Sequence, residues 1–201
     1  MDKKTVTLVT ATCMTLAGWA QASESVMTKN EAAVMTSPSP AQVTKRASST
    51  GRVVSAFATY LASLASQDQV SKEGLERGTS LMLAPISTGA RYLSNDVGGG
   101  WHYIVEYFAG TKTIQRTAFL LFVNENNENA DFSPVCDVEF DAVRSILLKG
   151  GYKEHESLGE IGNFLAWEYS KNDITISLLP QATVDTVSQR RDCIRSIRML
   201  G

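Results

Sequence analysis

The chain has 201 residues and a mass of 21.9 kDa, 43% of them hydrophobic and 20% charged, which is the make-up of one globular domain and excludes collagenous, wholly disordered and polytopic membrane classes. A formal net charge of -2 and a pI near 5.7 give no bulk attraction to a phosphate backbone, so a dedicated nucleic-acid binder is disfavoured. Aromatic residues make up 8%, enough for a single core.

The first element read from the N-terminus is a signal peptide, residues 1–22. Lys3 and Lys4 form a basic start, Val6 to Ala20 is apolar or small, and Ala20-Gln21-Ala22 has the small-x-small pattern read by a signal peptidase. The apolar stretch covers 15 residues and includes four threonines, short of the roughly 18 to 20 needed to span a bilayer. Cleavage is expected after Ala22, leaving no membrane anchor. Trp19 stands where a lipoprotein would carry its cysteine, so no lipid is expected. The mature chain loses Lys3, Lys4 and Asp2, two bases and one acid, which takes the formal charge from -2 to -3. The implied location is the periplasm or the exterior of the cell.

Cys13 leaves with the peptide, and Cys136 and Cys193 remain. An even pair in an exported chain reads as a disulfide. Two free thiols or a metal pair compete with that reading, but neither cysteine has a second Cys or a His at ligand spacing.

Residues 23–50 are rich in Ser, Thr, Ala and Pro, include Ser37-Pro38-Ser39-Pro40, and lack a sustained apolar period. They read as a flexible leader. The folded part, a single domain, is expected over 51–201. Val53, Phe57, Tyr60, Leu61 and Leu64 have the spacing of an amphipathic helix. From Asp68 to Gly100 glycines and a proline interrupt every periodic run, and Leu81 to Leu83 reads as a short strand or a helical turn.

After Gly98-Gly99-Gly100 the period changes to two. Trp101, Tyr103, Val105 and Tyr107 share a strand face, Gly110-Thr111-Lys112 turns the chain, and Ile114 to Val123 returns it along a central strand. Asn124 to Asp131 reads as a polar loop. Phe140, Val143, Ile146 and Leu147 have helical spacing in a helix starting at Asp137 and stopped by Gly150-Gly151. A third strand near 163–170 returns through Lys171-Asn172-Asp173 into a fourth carrying Ile174, Ile176 and Leu178. The tail fits a helix or a strand, with the strand preferred because of the break at Pro180. The expected fold is α+β: an antiparallel sheet built from two hairpins, helices packed on one face, and one disulfide.

Chemistry is sparse. Two histidines, His102 and His155, are present, the first on a strand and the second in a polar loop, Lys153-Glu154-His155-Glu156. Gly159 holds the fourth position after His155, so the zinc-protease spacing fails. The triple glycine precedes a strand, whereas a dinucleotide or phosphate loop follows one, and it reads as a sharp turn. The Asn124 to Asp131 loop lacks the spacing of a calcium loop. Glu154, Glu156 and Glu160 have no carboxylate placed across a cleft from them. Trp101, Tyr103, Tyr107, Trp167 and Tyr169 read as core. In the basic tail, Arg191 and Arg195 project to one face of the expected strand, with Cys193 between them, and Arg190 and Arg198 to the other.

No catalytic set, metal site or cofactor is expected. The partner-binding candidates are Asn124, Asn126, Asn127, Asp131, Arg191 and Arg195, and the Asp96 to Gly100 loop is a further expected contact. In plan alone, the chain resembles small exported bacterial inhibitor and immunity proteins, whose loops block an enzyme's cleft. That resemblance implies an exported, non-catalytic module binding a protein partner in the cell envelope. The alternatives are a small envelope hydrolase using His102 or His155, and a structural or ligand-carrying envelope protein.

Overall fold

Residues 49–127, 129–184 and 190–201 are described by a computed structural model. The expected signal peptide and nearly all of the expected leader lie outside the described residues. Helix α1 spans Ser49–Ser63 and buries Val53, Val54, Phe57, Ala58, Tyr60 and Leu61, the stripe expected from the spacing. Helix α3, Phe140–Lys149, buries Val143 and Leu147. It starts three residues later than the acidic pair Asp137 and Glu139 suggests, because Glu139 is extended and bridges to Cys193.

Between these two lie elements that the sequence hides. Helix α2, Lys72–Thr79, is capped by Ser71, whose hydroxyl accepts from the Gly74 N–H at 3.1 Å. Gly74 and Gly78 read as helix breakers, yet both are contact sites. A Cβ at Gly74 would lie 3.1 Å from Tyr60 Cε2, and one at Gly78 would lie 2.9 Å from Tyr60 Cβ, so the glycines let α2 press against the α1 ring. Strands β1, Ala84–Ile86, and β2, Gly89–Leu93, follow.

The remaining strands are β3, Trp101–Phe108; β4, Thr117–Asn124; β5, Lys153–Leu158; β6, Phe164–Lys171; β7, Ile174–Val184; and β8, Arg190–Leu200. All eight form one antiparallel sheet in the order β1-β2-β3-β4-β8-β7-β6-β5. The fold is therefore α+β, with three α-helices among the described residues and a sheet twice the size of a pair of hairpins. The register aligns Tyr103 with Phe122, Val105 with Leu120, Leu120 with Ile197, and Ile176 with Met199. These residues are buried in one core with the apolar sides of α1 and α3.

The tail is a strand, and it sits in the middle of the sheet rather than at its edge. Cys193 and Ile194 are buried, and so are Ser196 and Ile197, so the strand is covered on both faces here. A bulge separates the two pairs. Leu179 pairs with Ser196 and Pro180 with Ile194, leaving Arg195 as the extra residue opposite a proline that has no N–H to offer. The bulge interrupts the expected alternation of Arg191, Cys193 and Arg195. His155 also changes place: it stands on β5, an edge strand, and not in a loop. The charged run Lys153 to Glu156 gives that edge the polarity that discourages pairing with another chain.

An ionic clamp fastens α3 to the β5 edge. Arg144 donates to both carboxylate oxygens of Glu154, Nε at 2.7 Å and Nη2 at 2.9 Å, and the Tyr169 hydroxyl donates to the same carboxylate. The Arg144 guanidinium holds the Glu154 carboxyl below its ordinary value of 4.5, against the opposing effect of burial. Burial, followed by the bond to Glu154, raises the Tyr169 phenol. Burial also pushes Tyr103 and Tyr152 up to about 12 from 10.0.

The signs give a two-sided pH profile. The Glu154 contribution is complete above pH 4.5, the ordinary value, and is lost as pH falls through the depressed folded value. The tyrosine contribution is complete below pH 10.0 and is lost as pH rises toward about 12. Denaturant midpoints measured across pH should fall on both limbs. Arg144→Ala should flatten the acid limb and leave the alkaline fall in place.

Candidate functional site

The strand directions collect several connections at one end of the sheet. Trp101, at the start of β3, pairs with Asn124, at the end of β4, so the loop before β3 and the loop after β4 meet there. The β5–β6 turn and the Val184 and Arg190 ends of β7 and β8 lie at the same end.

Each loop is tied by its own side chains. Gly98, Gly99 and Gly100 have φ of 134°, 64° and 78°, a left-handed run that glycine adopts with least strain. The Asp96 carboxylate accepts from the Gly98 N–H at 2.7 Å and the Gly100 N–H at 3.2 Å. Asn124 Oδ1 accepts from the N–H groups of Asn126 and Asn127 at 3.0 and 3.1 Å, closing an Asx-type turn. Asn127 Oδ1 accepts from the Asn129 N–H, and Asp131 Oδ1 from the N–H and hydroxyl of Ser133. The bond from the Ser133 backbone, then that from its hydroxyl, holds the Asp131 carboxyl below the usual range.

Two bonds join the loops to each other. Asn124 Nδ2 donates to Gly99 O at 2.9 Å, and Trp101 Nε1 donates to Asp131 O at 2.8 Å. Below them Trp101 meets Phe132 edge to face at 5.0 Å, and the Arg195 guanidinium stacks over both rings, 4.5 Å from the Trp101 centroid and 5.6 Å from that of Phe132. Cys136 and Cys193 form a disulfide at the base of this end, and Thr183 Oγ1 lies 3.7 Å from each sulfur. Arg191 lines a small recess with Ser133, Cys136 and Thr183. An open groove of about 680 Å³ runs beside it, lined by residues that include Asp131, Phe132 and Thr183.

The six residues singled out in the sequence thus occupy one end of the sheet, with different tasks. Asn124, Asn127 and Asp131 hold the loops in shape, Asn126 is exposed beside Gly100, and Arg195 supports the aromatic pair. Phe132 and the disulfide are part of the same end, and the sequence offered no periodic signal for Phe132.

His102 Nδ1 donates to the Ser94 carbonyl at 2.9 Å, which leaves Nε2 facing Glu125 at 3.9 Å. His155 Nε2 pairs with Glu168 at 3.0 Å on the sheet edge. Among the described residues, neither histidine hydrogen-bonds a hydroxyl or thiol. No cluster of three or more His, Cys, Asp or Glu side chains suited to a metal ion occurs among the described residues, and no helix among them is long and apolar enough to cross a membrane. The site defines an α+β protein with a disulfide-braced loop end. Comparison with protein-family models, with curated proteins and with solved structures found no match.

Proposed function

We propose that this protein is an exported, non-catalytic interaction module that binds a partner protein in the cell envelope through its loop end, in the manner of an inhibitor or immunity protein. The carrying observation is the pair of bonds, Asn124 to Gly99 and Trp101 to Asp131, that locks two loops far apart in sequence into one surface. Loops already held in one shape lose little conformational entropy on binding, which favours recognition of a second surface. On this reading the two hairpins at 101–123 and 163–178 carry the helices on a single face, and the loop end projects clear of them.

Export to the periplasm or beyond is supported by the Lys3 to Ala22 signal pattern and by the disulfide, a bond that persists in oxidising compartments. Intact-mass analysis of the exported protein is expected to show a chain starting at Ser23 with no lipid. A mass retaining residues 1–22, or carrying an acyl chain, sinks that part of the proposal. For the binding function, the mature protein immobilised in envelope extract should retain a stoichiometric protein partner, and Asn124→Ala should release it. Turnover of peptidoglycan or esters lost on His102→Ala would favour an envelope hydrolase instead.

A further inference from the structure

The β5–β6 turn presents apolar side chains to solvent at the same end of the sheet. Leu158 is 54% exposed, Ile161 91%, Phe164 43% and Leu165 49%, a concentration that a free surface seldom carries. The turn has a defined backbone. The Gly159 N–H donates to Asn163 O and the Gly162 N–H to Gly159 O, both at 2.8 Å, and Gly162 has φ 76°. A bulge sets its shape: Phe164 pairs with Leu158 and Ala166 with Ser157, leaving Leu165 unpaired. Behind it, Phe164 contacts Trp167, and Trp167 contacts Phe140 of α3, with centroid distances of 5.8 and 6.0 Å.

We propose that this tip is the apolar anchor of the partner-binding end: Ile161 enters an apolar socket on the partner protein, and Glu156 and Glu160 meet basic groups at the socket's rim. The inference rests on the interaction-module reading and adds the chemistry of the partner. Charge selects the occupant. The segment from Glu154 to Ser170 contains no Lys or Arg, while Glu160 stands next to Ile161 at the apex. An anionic lipid surface repels that arrangement. A socket with a basic rim complements it, since a protein interface places an apolar core inside a polar rim.

The test compares the mature wild-type protein with Ile161→Asp, Glu160→Lys and Asn124→Ala, each checked to be folded at the assay temperature, in quantitative capture from envelope extract. A photo-crosslinking residue, Ile161→p-benzoylphenylalanine, maps the contact. Ile161→Asp is expected to weaken capture by about thirtyfold. Glu160→Lys should weaken it more at low salt than at high salt. The adduct should fall in an apolar partner segment flanked by Lys or Arg. Capture of the partner by Ile161→Asp at wild-type strength, with loss in Asn124→Ala, overturns the anchor and leaves the interaction module standing. No stoichiometric partner for the wild type removes both. Co-sedimentation of the wild type with phosphatidylcholine vesicles, or its concentration-dependent self-association, abolished in either case by Ile161→Asp, overturns the protein socket in favour of lipid or of a second copy.

Discussion

Cys193→Ser is expected to lower the stability of the folded protein by about 2 to 5 kcal/mol, the usual range for a native bridge in a small exported domain. The Cys136–Cys193 bond closes a loop of 57 residues, which on chain entropy alone is worth about 4 kcal/mol. Its position adds to that. Cys193 is fully buried in β8, a strand held between β4 and β7, while Cys136 ends the short turn Ser133–Val135 that leads into α3. Losing the bond releases the approach to α3 from the middle of the sheet and leaves a polar hydroxyl in a buried position. For a domain of this size each kcal/mol moves the melting temperature by roughly 3 °C, so a drop of about 6 to 15 °C should appear in thermal unfolding. Wild-type protein denatured without reductant should expose no reactive thiol. Two thiols in protein folded under oxidising conditions, or the same denaturant midpoint before and after reduction, would refute this role for the bridge.

Trp101→Ala should cost about 3 to 5 kcal/mol, the range for removing a large buried aromatic side chain. Trp101 is fully buried, meets Phe132 edge to face, carries the Arg195 guanidinium, and donates through Nε1 to Asp131 O. Trp101→Phe separates these contributions: it keeps most of the ring volume and removes the donor. That change should cost about 0.5 to 1.5 kcal/mol for the lost hydrogen bond, since water can reach the freed carbonyl of exposed Asp131. It should also raise hydrogen exchange at the amides of Gly98, Gly100, Asn126 and Asn127, because the two loops lose one of the bonds joining them. If Trp101→Phe lowers stability and leaves exchange at those amides unchanged, the indole is a core residue only and the loops are shaped without it.

The periodic elements were legible because their burial pattern is local. Val53, Phe57 and Leu61 lie on one stripe of α1 whatever it packs against, and Trp101, Tyr103 and Val105 lie on one face of β3. Elements whose sequence answers to a distant neighbour were not legible. Gly74 and Gly78 look like breaks because the Tyr60 ring that requires them is brought there by packing. Lys153 to Leu158 looks like a loop because an edge strand can be polar on both faces. Arg195 looks like an alternating surface residue because the bulge depends on Pro180 in the neighbouring strand.

The same division holds for the candidate site. Sequence alone determined that Gly98 to Gly100 and Asn124 to Asp131 flank the β3–β4 pair, that Cys136 and Cys193 are suited to a bridge, and that no motif of known chemistry accompanies them. Tertiary structure decided that these pieces form one surface, that β8 enters the middle of the sheet and carries Arg195 under the loops, and that the β5–β6 turn lies at the same end of the sheet. The physical reason is the range of the interactions. Turn chemistry and side-chain alternation act over a few residues, whereas strand order and register come from burying one shared core, and that depends on every element at once.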